Sequence, residues 1–111
     1  MDQLLLLAAR SAARAAKHQQ DEDLRALHER VLVLVADQAR APSVIARAHA
    51  TIAMWDSVGT CGAFYIKEWR RILADPAERL RSQVLMLDAP NGLALMQNTP
   101  FGFLLRERAS A

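Results

Sequence analysis

No glycine or proline occurs before Pro42 in this chain of 111 residues. Alanine, leucine, arginine and glutamine dominate the first forty positions, and all four are strong helix formers. Nothing in this stretch breaks a helix. Apolar positions Leu5, Ala8, Ala9, Ala12, Ala15 and Ala16 follow helical spacing, and so do Leu24, Leu27, Val31, Leu34 and Val35. The two series are out of phase, because Lys17 to Asp23 is entirely polar. The pattern predicts two helices joined near Gln19–Asp23, with Asp21 or Asp23 as N-cap, and one long bent helix as the alternative. Val31 to Val35 is rich in β-branched residues and could stand as a strand alone, but its surroundings favour helix.

Beyond residue 41 the punctuation is dense. Ser43, after Pro42, is the expected cap of a helix over 43–58 with Ile45, Ala48, Ile52 and Trp55 on one face. Gly59 ends it and Thr60 is the expected cap of a helix over 61–74. That helix carries a stripe of Tyr65, Ile66, Trp69, Ile72 and Leu73. Asp75-Pro76-Ala77-Glu78 reads as a helix start with a capping box, and the following helix is expected to bury Leu80, Val84 and Leu87. Pro90-Asn91-Gly92 makes a turn, Leu93 to Gln97 a short helix, and Thr99-Pro100 stops it. The expected fold is all-α: a compact bundle of five to six helices in one domain over 1–111. Residues 1–40 would form a helix pair, 43–97 the helical core and 98–111 a C-terminal tail.

Composition narrows the class. Hydrophobic residues at 52% and charged residues at 23% suit a folded chain and exclude global disorder. The lone cysteine, Cys61, permits no internal disulfide and fits a reducing compartment. Leu4–Leu7 is too short for a secretory signal, and Arg10, Arg14 and Lys17 give only a faint transit-peptide character. No apolar run reaches the ~18 residues of a membrane span, so a cytoplasmic location is expected. The net charge of +2 is mild. Residues 1–20 carry three basic and one acidic side chain, hence +2, and residues 21–40 carry three basic and five acidic, hence −2.

Catalytic and metal signatures are missing. His18, His28, His49 and Cys61 share no ligand spacing, so no metal site and no cofactor is expected, and His18 and His28 read as solvated helix residues. Cys61 lies near a helix start, but sequence places no base beside it, so it reads as a partly buried thiol. Lys67, Arg70 and Arg71 lie opposite an apolar stripe and, with the break at Gly59–Gly62, outline a nucleic-acid-binding alternative. Arg79 and Arg81 would extend that patch. Ala63, Phe64 and Tyr65 stand where a recognition helix carries small polar residues, so a solvated basic face is preferred. Trp55 and Trp69 read as core. Phe101, Phe103 and Leu104 need burial. They pack either on the chain's own core, the preferred reading, or on a partner protein as a binding segment, with both rings on one side of an extended strand.

The pattern Tyr65-Ile66-x-x-Trp69-x-x-Ile72-Leu73 followed by Gly92-x-x-Leu95-x-Gln97-Asn98-Thr99-Pro100-Phe101 resembles small helical bacterial proteins of toxin–antitoxin or regulatory-partner type. The resemblance covers the C-terminal half and implies a protein that acts by binding another macromolecule. The functional expectation is a non-enzymatic interaction or regulatory protein, with a DNA-binding regulator using helices 43–58 and 61–74 as the alternative and a small enzyme third. Homodimerisation is expected through the small-residue face Ala8, Ala9, Ala12, Ala13 and Ala16.

Overall fold

The computed structural model describes the backbone of residues 2–110 and the side chains of 2–107. Six α-helices and one π-helical turn make up the fold, with no strand among the described residues. They are α1 (Asp2–Ala36), α2 (Ala41–Val58), α3 (Ala63–Ala74), α4 (Pro76–Arg79) running into the π-turn Leu80–Val84, α5 (Gly92–Gln97) and α6 (Phe103–Ser110). The all-α expectation holds.

The expected N-terminal helix pair is instead one helix of 35 residues. The polar run at Lys17–Asp23 does not interrupt it. Lys17 pairs with Asp21 at 3.8 Å, His18 with Glu22 at 3.8 Å, and Gln19 donates to Asp23 at 2.9 Å, all at i,i+4. Such pairs support a helix through a stretch that offers no apolar face. A different stripe also runs in step through the whole element. Leu6, Ala9, Ala13 and Ala16 lead through Gln20 to Leu24, Leu27, Val31 and Leu34, at steps of three and four residues.

The lower half of that stripe is the spine of the core. Leu27, Val31, Leu34 and Val35 are buried against Val44, Ala48 and Ile52 of α2 and Ile66, Trp69, Ile72 and Leu73 of α3. Leu80, Val84, Leu85, Leu95, Met96, Phe101, Phe103 and Leu104 complete the same cluster. Trp69 is fully buried as expected, whereas Trp55 is half-buried at its edge.

The caps differ from expectation. α2 starts at Ala41, not Ser43, because Asp37 organises the preceding turn: its carboxylate accepts from the Ala39 amide at 2.9 Å and its carbonyl from the Ala41 amide at 2.8 Å. Gly59 closes α2 at φ 78°, in the left-handed region that suits glycine, with its amide donating to the Trp55 carbonyl. Gly62, not Thr60, precedes α3. Pro76 does open α4, but Asp75 makes no side-chain cap. Leu80 and Val84 are buried as expected, while Leu87 is 92% exposed. The wider π-turn shifts the helix phase and ends at Val84, so Leu87 falls in the following turn.

The tail packs on the chain's own core. Phe101, Phe103 and Leu104 are all buried, so none of the three forms an exposed partner-binding segment. The segment is not extended either. The Phe101 amide donates to Thr99 Oγ1 at 3.1 Å, the Leu104 amide to the Phe101 carbonyl at 3.0 Å, and the chain turns into α6. α6 is fastened by Arg47 of α2, which pairs with Glu107 and lies 4.1 Å above the Phe103 ring.

Candidate interaction surface

Every residue from Asp2 to Gln20 is exposed. The side-chain contacts of Lys17, His18 and Gln19 with Asp21, Glu22 and Asp23 all run along α1 itself. The helix therefore leaves the core near Asp21 and continues uncovered for 19 residues, about 28 Å at the helical rise. The radius of gyration is 16.3 Å, against about 13 Å for a compact chain of this length, and the longest extent is 57 Å. The projecting segment accounts for the excess.

Leu4, Leu5, Leu6 and Leu7 are 56–72% exposed. Successive helical residues turn by about 100°, so the four leucines occupy all sides of the helix. A helical turn that is apolar all round belongs in an interior. Ala9, Ala13 and Ala16 extend below it along the stripe that becomes core after residue 24. Where the free segment meets the folded part, a cleft of about 650 Å³ opens beside Asp21, Glu22 and Arg25. Met86, Leu87 and Leu93 line it from the other side and are themselves exposed.

The alternative nucleic-acid face comes out divided. Lys67 and Arg70 border the cleft between α2 and α3, where Arg70 lies 3.3 Å from the Asp56 carboxylate. Arg71 turns the other way, 2.6 Å from Glu68 and 2.5 Å from Gln83. Both guanidinium groups are thus engaged within the chain. Arg81 lies 4.0 Å from Glu78. Phe64 in the first turn of α3 is half exposed and stacks edge-on against Tyr65.

His28 is not the solvated residue that the sequence suggests. It is fully buried against the rings of Trp69 and Phe101, with centroids 5.9 and 6.0 Å away. Nδ1 lies 2.7 Å from the Leu24 carbonyl, which can only accept, so this nitrogen carries the proton. Nε2 then accepts from the Thr99 hydroxyl at 2.7 Å. Burial lowers the imidazole pKa to about 4, although the bond to Leu24 opposes the shift. The neighbouring Trp69 indole donates to the Asn98 carbonyl at 2.7 Å. These bonds tie Asn98 and Thr99 to α1 and α3. The sequence signal that could have located His28 was its place one residue after Leu27 and three before Val31, on the edge of the core stripe.

Cys61 is half-buried against the core, and His18 and His49 are exposed. Among the described residues no three of His, Cys, Asp or Glu cluster as a metal site, and no helix is long and apolar enough to cross a membrane. No protein-family model, curated protein or solved structure matches the chain.

Proposed function

We propose that this chain is a non-enzymatic interaction protein of regulatory kind, and that it binds another protein through the free half of α1. One observation carries the reading: a helix continuous with the core presents 19 exposed residues with four leucines near its start. Exposed apolar patches of this sort mark interfaces, because keeping large aliphatic side chains in water costs about 1.5–3 kcal/mol each relative to burial. The core contributes the other half of the argument. It is complete without the free segment, so that segment has no evident task in folding.

A chain lacking residues 2–20 tests this. It should melt in dilute solution at the same temperature as the full chain and should lose association with the partners that the full chain captures from its native host. Equal capture by both chains would contradict the reading, and so would a large drop in melting temperature.

A further inference from the structure

Resting on that reading, we infer that the partner of the free segment is an acidic amphipathic helix of another protein. Its carboxylates lie against Arg10 and Arg14, and its apolar side chains fill the cleft at the foot of the segment, beside Met86, Leu87 and Leu93.

Charge comes first. Of the chain's 14 basic and 12 acidic side chains, residues 1–20 hold three and one. That leaves 11 of each over residues 21–111, so the whole net charge of +2 belongs to the segment that leaves the core. Around the helix this charge is gathered on one side. At about 100° per residue, Arg10, Arg14 and Lys17 fall within an arc of about 60°. Every other residue from Leu4 to Ala16 except Ser11 is leucine or alanine. Lys17 is paired with Asp21 at 3.8 Å, whereas Arg10 and Arg14 make no ion pair among the described residues. Both guanidinium groups can therefore take a carboxylate from outside, with the two-pronged geometry that arginine favours.

The basic row leads into the cleft. Leu7, Arg10, Arg14, Lys17, Asp21 and Arg25 succeed one another at steps of three and four residues, so they share one side of α1. Asp21 and Arg25 stand on one side of the cleft of about 650 Å³, and exposed Met86, Leu87 and Leu93 on the other. An occupant lying on the basic row runs down into the apolar corner where the helix meets the core. About 22 Å of helix separates Arg10 from Arg25, which a partner helix of about 15 residues spans. Asp21 and Glu22 at the foot repel carboxylates, so the acidic end of that helix lies toward Arg10 and its apolar end in the cleft.

Shape chooses among anionic partners. A nucleic acid brings phosphates but no side chains to fill a cleft of methionine and leucine. A lipid surface is flat and cannot follow the row into a corner walled by the core. An amphipathic helix laid into a groove brings both carboxylates and apolar anchors.

Fluorescence anisotropy with two labelled peptides of 15 residues tests the arrangement. One is a helix of leucine, alanine and glutamate with its glutamates in one half, and the other carries lysine in place of each glutamate. The acidic peptide should bind the full chain. It should bind about tenfold more weakly to the Arg10→Glu, Arg14→Glu chain, where two attractions become two repulsions, and also to the Leu87→Glu chain. The doubly reversed chain should prefer the lysine peptide. Both variants should melt at the temperature of the parent, because these side chains are exposed. Equal binding of the two peptides, no binding of the acidic one, or equal binding to parent and variants overturns the inference. So does tighter binding to phosphatidylglycerol vesicles or to duplex DNA than to the acidic peptide, and so does a full chain that sediments at twice its 12.3 kDa mass until Arg10 and Arg14 are reversed. If capture from the host requires residues 2–20 but ignores the double reversal, the inference falls and the broader reading stands; if capture does not require residues 2–20, both fall.

Discussion

The His28 ring sits where a second proton is costly. Protonation at Nε2 would force the Thr99 hydroxyl to reverse and would put a cation against Trp69 and Phe101, away from water. Unfolding returns the ring to its ordinary pKa of 6.5, so between that pH and about 4 the unfolded chain takes up a proton that the folded chain refuses. The folded state is therefore favoured fully above pH 6.5 and loses ground as the pH falls toward 4. Full development of the shift is worth about 3 kcal/mol, at about 1.4 kcal/mol per pKa unit. Urea melts at pH 7.5, 6 and 5 should show stability falling progressively over this window, with the slope removed in His28→Asn. Stability that stays flat from pH 7.5 to pH 5 would contradict the placement of the ring.

At the scale of elements, the junction between the π-turn and α5 is the tightest point. Gly92 is buried, and a Cβ built on it would stand 2.5 Å from the Val84 carbonyl oxygen and 3.3 Å from the Ala89 Cβ. The carbonyl is backbone and cannot swing away as a side chain would. Gly92→Ala should destabilise by about 1–3 kcal/mol, the usual cost of overpacking, and a denaturant midpoint unchanged from the parent would show that α5 can back off freely. Much at this scale was legible in the residues. The stripe of α3, the start at Pro76 and the turn before α5 follow from apolar spacing and from proline and glycine positions. Other features were not. The continuity of α1, held only as the alternative to a helix pair, rests across Lys17–Asp23 on i,i+4 polar pairs, which carry no hydrophobic period of their own. The exposure of Leu87 depends on a π-turn, for which no residue type is a marker. The start of α2 depends on Asp37, which caps a turn from four residues upstream.

The whole molecule is a small core with half of its longest helix outside it. The candidate surface was only partly legible in the sequence. The alanine face was visible, but its exposure depends on where α2 to α5 end against α1, and that is a property of the assembled core. Phe101, Phe103 and Leu104 show the converse: two phenylalanines and a leucine in a tail looked available for a partner, and the core takes them all. Burial of a short apolar segment is decided by the cavity that receives it, here the space beside His28 and Trp69. A helix carrying no tertiary contacts has little to hold it against fraying beyond its own propensity. Amide hydrogen exchange of residues 2–20, measured on the chain alone in dilute solution and on the complex that it captures from its native host, therefore tests the central claim directly. Binding through the free half of α1 predicts that protection of these amides rises in the complex while the slowest core amides, those of Val31, Ile52 and Ile72 among them, change far less. Exchange in residues 2–20 that the complex leaves unchanged would contradict it.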